Sequence, residues 1–378
     1  MREAVIVEAV RTPAGKFRSS LSTIEPISLA ALVLREVVER AGIDPAAVDD
    51  VIMGCVTQTG EQGANIGRLA ALYAGFPVEV AAVSINRMCG SSQQAIHFAS
   101  QSIVAGDADV VIAAGVESMS RVAMGSDYPS QLPENPPYPL LHQGESAELI
   151  ARKWGFSREA LDEYSYHSHE KAAAATKAGH FQREILPVAV GQNGDSRVLD
   201  YDEGIRFEPN LEKMAALKPA FREDGVITAG NASQLSDGAA AVLVMERSKA
   251  ESLGLKPRAR FVSRVAVGSD PELMLTGPIA ATEKALKRAG LSIGQMDVIE
   301  INEAFAPVVL AWAAEIEPPL GRLNPNGGAI ALGHPLGATG AKLMTSLLHE
   351  LERTGGRYGL QTMCIGHGQA TATIIERL

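Results

Sequence analysis

The chain has 378 residues, 46% of them hydrophobic and 21% charged. That length suits two or three domains with a sizeable core and excludes general disorder. The 34 basic and 44 acidic residues give a net charge of −10, which argues against a nucleic-acid or anionic-membrane partner but leaves room for a local basic patch. Three cysteines, Cys55, Cys89 and Cys364, are too few for a disulfide framework and suit a reducing cytoplasm. Met1–Val10 reads as a strand, with Glu3 and Glu8 where a signal peptide would need a basic and then an apolar stretch. The longest uncharged segments, Met88–Gly106 and Leu323–Ala341, are rich in Ser, Gln, Asn, Gly or His and do not read as membrane spans.

In chain order, the first third alternates strands and helices. Ala4–Val10 is a short apolar run fit for a buried strand. Ser28–Ala41 is a predicted helix with Leu29, Leu32, Val33 and Val37 on one face, Ser28 as cap and Gly42 as stop. Val51–Val56 and Ala81–Ile85 are predicted strands. Ser91–Ala105 is a predicted helix that turns Ala95, Ile96, Ala99, Ile103 and Val104 inward and ends at Gly106. Val110–Gly115 carries no charge, as a strand covered on both faces should not.

The middle of the chain changes character. Pro129, Pro133, Pro136, Pro137 and Pro139 crowd one irregular stretch; a strongly helical Ser157–Gly179 follows, then loops rich in Gly, Asp and Asn. Long irregular segments of this kind often carry ligand contacts. In the last third, Pro278 marks a helix start that Gly290 ends, Val298–Ile301 is a strand, Gly340–Glu352 a helix, and Leu360–Ile365 and Thr371–Glu376 are strands.

The outer thirds also match each other. Ala41-Gly42-Ile43 and Asp49-Asp50-Val51-Ile52 correspond to Ala289-Gly290-Leu291 and Asp297-Val298-Ile299 at a constant offset of 248 residues. The same offset carries Cys89 onto Gly337 in the run His334–Gly340. A duplicated unit would set these two loops face to face across a pseudo-twofold axis. The expected organisation is therefore an α/β half over 1–118, completed by 236–248, a loop domain within 119–245, and a second α/β half over 246–378.

Candidate chemistry sits in four places. Cys89 stands between a strand and a helix in Asn86-Arg87-Met88-Cys89-Gly90-Ser91-Ser92, where free amides and the helix dipole should favour a thiolate. His334, between Gly333 and Pro335, can present an imidazole as a base. Cys364-Ile365-Gly366-His367-Gly368 ends a buried strand with N–H donors of the kind an oxyanion site needs. Asn302-Glu303-Ala304-Phe305 follows the strand Val298–Ile301, at the strand end where sites collect in α/β sheets. Cys55 reads as core. No cluster has zinc-ligand spacing, and no Rossmann or Walker glycine pattern follows a strand.

Taken together, the Cys89 loop, Asn302–Phe305, Asn324–Gly340 and Cys364–Gly368 resemble the thiolase family, coenzyme A-dependent acyltransferases that make or cleave 3-ketoacyl thioesters. The resemblance runs from Val10-Arg11-Thr12-Pro13-Ala14-Gly15 to the C-terminus. It implies a five-layer αβαβα fold of two similar halves with an inserted loop domain. It implies Cys89 as the acyl-accepting nucleophile, His334 as its base, and Cys364 as the second acid/base. Asn302 would hold a water that forms one oxyanion hole with His334, and the amides of Cys89 and Gly366 would form another. Arg206, Phe221, Ala229 and Ser233 match coenzyme A positions, His142 a pantetheine-loop histidine, and Ala304 and Phe305 flank the reactive end.

No permanently bound cofactor and no metal are implied; coenzyme A is a substrate, acyl-CoA esters are the partners, and self-association as a homodimer or homotetramer is expected. The sequence departs from the family pattern at His367, where glycine is usual, at Ala370, at Gln143 beside His142, and at Leu275 in Met274-Leu275-Thr276-Gly277-Pro278. Gln143, Met274 and His367 are the candidate acyl-pocket residues. His367 either packs behind its loop and aims the Gly366 amide or reaches the acyl cavity. Thiolysis of 3-ketoacyl-CoA is the expected reaction. Alternatives are condensation of two acetyl-CoA at the same site, a decarboxylating ketoacyl synthase, which would not need Cys364, and a non-catalytic scaffold, from which Cys89, His334 or Cys364 should be missing.

Overall fold

The computed structural model describes residues 2–191 and 197–378, so Met1 of the predicted first strand lies outside the described residues. Nine strands form the frame: β1 (Ala4–Arg11), β2 (Asp50–Gly54), β3 (Ala81–Ile85), β4 (Val110–Ser118), β5 (Ser236–Glu246), β6 (Ala259–Gly268), β7 (Val298–Ile301), β8 (Tyr358–Ile365) and β9 (Gln369–Arg377). With the two-residue strand Gly15–Lys16 beside β5, they make one ten-stranded sheet in the order β7-β8-β9-β6-β1-β5-β4-β2-β3. The centre is its weak seam: β1 and β6 share only the pairs Val5↔Arg260 and Ile6↔Ala259. On either side of the seam the halves match, with β2 parallel to β4 and β4 antiparallel to β5 on one side, and β7 parallel to β8 and β8 antiparallel to β9 on the other.

Helices cover and separate the two halves. They are α1 (Pro26–Ala41), α2 (Ile66–Tyr73), α3 (Ser91–Ala105), α4 (Gln143–Trp154), α5 (Arg158–Lys177), α6 (Gly277–Ala289), α7 (Ala306–Ile316) and α8 (Thr339–Thr354). The period-two alternation of β4 assigns its faces. Val110, Ile112, Ala114 and Val116 pack on α1 and α2, whereas Val111 and Ala113 pack on Ile96, Ala99 and Ile103 of α3 and Met344 and Leu347 of α8. On the far side, Ala281 and Ala285 of α6 and Val309 and Trp312 of α7 cover Ile299, Leu360 and Ile374. The layers therefore run α1/α2, sheet, α3/α8, sheet, α6/α7, the five-layer arrangement expected.

The 248-residue correspondence holds in three dimensions. Ser91 and Thr339 open α3 and α8, and Val110 and Tyr358 open β4 and β8. The two central helices meet at their N-termini. Ser92 Oγ accepts the Ala341 N–H at 2.9 Å. A Cβ on Gly340 would stand 2.2 Å from the Gln93 amide nitrogen, so only glycine permits this approach.

Element ends differ from expectation in small ways. α1 starts at Pro26, not at a Ser28 cap, because proline's fixed φ suits the first helical position. Val104 is 44% exposed rather than inward, since the buried face of α3 is satisfied by Ile96, Ala99 and Ile103. β2 ends at Gly54, which leaves Cys55 and Val56 in the following loop.

The segment between β4 and β5 carries α4 and α5 and packs mainly on the second half: Ala147, Ile150 and Leu161 lie against Phe305, Ala306 and Val308. A buried charge cluster ties it to β1. Arg11 Nε donates to Glu184 at 2.6 Å, and Arg11 Nη1 and Nη2 donate to the Asp202 carboxylate at 2.8 and 3.0 Å. None of the described helices is long and apolar enough to cross a membrane.

Gly340→Ala is expected to lower the melting temperature, because it forces a methyl group against backbone at a cost of about 1–3 kcal/mol. A thermal scan showing an unchanged midpoint would contradict the close approach.

Candidate active site

The strand ends of both halves deliver the candidate residues to one place, beside the α3 and α8 N-termini. Cys89 lies in a tight loop between β3 and α3. Met88 before it is forced to φ +46°, a left-handed conformation that costs about 1–2 kcal/mol in a side-chain-bearing residue. Local bonds hold it there. Asn86 Oδ1 accepts the Met88 N–H at 2.7 Å, Ser91 Oγ accepts the Arg87 N–H at 2.9 Å, and the Ser91 hydroxyl donates to the Met88 carbonyl at 2.6 Å. A Cβ on Gly90 would lie 2.4 Å from Ile365 Cδ1, so its absence lets the Cys89 loop close onto the Cys364 strand.

His334 follows a left-handed Gly333 and is 4% exposed. Its N–H faces the Gln234 carbonyl and Ser236 Oγ, each at 3.2 Å. The proton on its ring can be placed by its neighbours. The Thr339 hydroxyl donates to the Pro335 carbonyl at 2.8 Å, so its oxygen takes the Nδ1–H of His334 at 2.6 Å. Nε2 is left with its lone pair, which accepts a long hydrogen bond from Asn302 Nδ2 at 3.4 Å. Asn302 is fully buried, faces the Cys364 thiol, and has an Oδ1 with no partner among the described residues. Cys364 also faces its own N–H and that of Ala304. Cys89 Sγ faces the N–H groups of Cys89 and Gly366. These contacts run from His334 through Asn302 and Cys364 to Cys89 and the Gly366 N–H.

Electrostatics differ from the sequence expectation at Cys89. Burial pushes its thiol up to about 12, outweighing the two N–H groups that favour the thiolate. Burial, helped by the charge of Lys342, brings His334 down to about 3. Burial and then Cys89 raise Cys364. Burial therefore favours two neutral thiols and a neutral imidazole over a thiolate–imidazolium pair. Cys55 is buried in the first-half core and its thiol is also raised by burial.

The coenzyme A candidates fall into two groups. Arg206 and Ala229 line a cavity of about 240 Å³ whose wall includes Gln234, the residue whose carbonyl faces the His334 amide. Nearer Cys364, the rings of His142 and Phe221 lie 5.3 Å apart and those of Phe221 and Phe305 6.0 Å apart. Ser233 joins this group through its N–H, which donates to the Ala304 carbonyl at 2.9 Å. Gln143, Met274, Gly366 and His367 line a separate chamber of about 430 Å³. His367 is exposed, adopts φ +62°, and sets Nε2 2.9 Å from the hydroxyl of Tyr128. Its side chain therefore turns toward the chamber rather than packing behind the loop.

Sequence reasoning passed over several residues that shape this site. Thr339 fixes the His334 proton. Glu117 accepts the N–H groups of Val56, Thr57 and Gly337, coupling the loop after β2 to the histidine loop. Glu303 accepts from Tyr164, Ser168, Asn324 and the Ile330 N–H, and so organises the segment that leads to His334. The one visible signal for Glu117 and Glu303 was a charge inside or just after an apolar strand, and Thr339 gave none. Tyr128, in the proline-rich stretch, gave none.

The chain belongs to the thiolase family: the model of the thiolase N-terminal domain matches residues 4–248 and that of the C-terminal domain residues 255–377. It is 52% identical over 392 residues to the steroid 3-ketoacyl-CoA thiolase FadA6 of Mycobacterium tuberculosis, covering 100% of this chain and 95% of that protein. It is 46% identical over 388 residues to the 3-ketoacyl-CoA thiolase of Erwinia tasmaniensis, with both chains covered in full. Among solved structures, the Bacillus anthracis acetyl-CoA acetyltransferase superposes with a TM-score of 0.93 at 40% identity, covering 100% of this chain and 99% of that one.

With the Cys89 thiol raised, its alkylation by iodoacetamide in the free protein should be slow at pH 7 and climb steadily through pH 10. A rate that levels off below pH 7 would show a resting thiolate instead.

Proposed function

We propose that this enzyme cleaves 3-ketoacyl-CoA with coenzyme A, releasing acetyl-CoA and a shortened acyl-CoA. The observation that carries the reading is the buried series His334, Asn302, Cys364, Cys89 and Gly366, which sets an imidazole lone pair and two thiols that burial holds toward the neutral form in one part of the fold. His334 Nε2 takes the Cys89 proton as the sulfur attacks the ketone carbon. The bond between that carbon and the α-carbon breaks, and its electron pair passes into the enolate of acetyl-CoA. Cys364 gives its proton to the α-carbon. The acyl group is left on Cys89 as a thioester. The Cys364 thiolate then takes the proton of an incoming coenzyme A thiol, whose sulfur attacks the thioester and expels Cys89, and His334 returns the proton to it.

Burial favours the neutral forms of these groups, so the charge that develops in the reaction needs donors aimed at it. The amides of Cys89 and Gly366 are suited to the oxyanion formed at the Cys89 thioester. Asn302, holding a water with His334, is suited to the enolate oxygen. We assign coenzyme A to a path past Arg206, Ala229, Phe221, Ser233 and His142, with Ala304 and Phe305 at the reactive end; it is a substrate, and no resident cofactor is required. Two relatives are named 3-ketoacyl-CoA thiolases, one of them a steroid enzyme, which supports cleavage over synthesis. The structural neighbour is an acetyl-CoA acetyltransferase, which keeps condensation of two acetyl-CoA as the second reading.

The need for free thiols fits a cytoplasmic enzyme. Self-association is also part of this reading: β3 is a sheet edge with Val83 42% exposed, so a second copy could pair there. The mass of the native particle in light scattering should exceed that of one chain, and Val83→Lys should reduce it. A monomeric wild-type protein would remove the proposal of a dimer or tetramer.

Acetoacetyl-CoA should add one acyl mass to the peptide containing Cys89. His334→Ala should block that acylation. Cys364→Ala should still accept an acetyl group from acetyl-CoA while losing α-proton exchange and carbon–carbon cleavage by about 10² or more. Label on Cys55 or Cys364, or full thiolysis by Cys364→Ala, would overturn the assignment.

A further inference from the structure

The chamber next to the Cys89 loop is larger than an acetyl group needs, and its polar lining groups are His142 and Gln143 on one side and Tyr128 and His367 on the other, with Asp127 in the adjoining cavity. A second cavity, of about 320 Å³, adjoins the first and shares Tyr128, Leu132, Leu140 and His367 with it. Met88, next to Cys89, lines the second cavity, and Gly366, whose N–H faces Cys89, lines the first. At about 30 Å³ for each water-sized group, the first alone has room for roughly ten or more heavy atoms. Met124, Leu132 and Leu140 make its outer wall apolar, and all three are about half exposed. In that wall stand the Tyr128 hydroxyl and the His367 ring, 2.9 Å apart.

Their proton arrangement has two forms with the same outcome. If Tyr128 donates to Nε2, the Nδ1–H of His367 is left over. If Nε2–H donates to Tyr128, the phenol O–H is left over. Either way the pair retains one donor for an acceptor that enters the chamber. His367 keeps its left-handed backbone, next to a left-handed Gly368, while presenting this ring. Strain held at such a point is characteristic of sites with a binding role.

We propose that Tyr128 and His367 form a donor pair that selects 3-ketoacyl groups bearing an alicyclic ring with a keto or hydroxyl oxygen. The inference rests on the thiolytic reading above. The apolar wall takes the ring, and the spare donor takes its oxygen.

The test compares kcat/KM for thiolysis of two 3-ketoacyl-CoA esters. One ends in an unsubstituted cyclohexyl ring; the other carries a keto oxygen on the same ring. The wild-type enzyme should prefer the oxygenated ester by about tenfold, the effect of one hydrogen bond. In Tyr128→Phe, which keeps the aromatic wall, and in His367→Gly, which suits the left-handed backbone, the ratio should fall to about one. Equal rates for the two esters in the wild-type enzyme, or a preference retained in both variants, would overturn the donor pair. Acylation of Cys89 by acetoacetyl-CoA, read by mass, separates the two levels. If it occurs while the ester ratio stays flat, only the donor pair fails; if it does not occur, the thiolytic reading fails and takes the donor pair with it.

Discussion

The N-termini of α3 and α8 touch with no side chain between them at Gly340, and the site is arranged around that contact. Because Ser91 and Thr339 occupy equivalent places in two copies of one unit, the loops before them are brought together by the fold itself. One loop presents Cys89 and the other His334. The strand ends of the second half supply Asn302 and Cys364. Glu117, at the end of β4, accepts N–H groups from both the Val56–Thr57 loop and Gly337, so a shift in one loop would strand buried donors in the other.

This enclosure sets the chemistry. A cysteine at a helix N-terminus is ordinarily drawn toward the thiolate, and here burial reverses that. In a buried site, a neutral thiol and a neutral imidazole cost less than an ion pair. The same burial strengthens any donor aimed at charge that develops later, such as the amides of Cys89 and Gly366. Thr339 completes the arrangement by holding the His334 proton on the nitrogen that faces away from Asn302.

What the sequence made legible follows the range of the forces involved. α3 was predicted at Ser91–Ala105 because its apolar spacing and the left-handed Gly106 are local. The strands Ala81–Ile85 and Val298–Ile301 were equally clear, bounded by turn residues. Cys89, His334, Cys364 and Asn302 stood out through their loops, and the family pattern supplied their company. The electrostatic state of Cys89 did not, since desolvation depends on what the rest of the chain brings to cover it. Tyr128 was invisible for a related reason: its partner His367 lies 239 residues away, and the link depends on how the loop domain folds back. Val104 was placed inward by periodicity alone, which cannot tell how wide a helix face its neighbours will cover.

The two halves share an architecture but not a closure. In the second half β8 and β9 are joined through Gly366, His367 and Gly368 alone. In the first, the equivalent strands β4 and β5 are separated by residues 119–235. Polymer closure makes the longer connection about 3 kcal/mol more costly in chain entropy. As the chain leaves the ribosome, β4 and β1 therefore wait with their hydrogen-bonding edges open until the whole loop domain has been made, while β8 can pair with β9 almost as soon as both exist. The half that carries the nucleophile thus waits longer between making a strand and making the partner that closes it, and during that interval its apolar strands are the segment most exposed to mispairing with another chain.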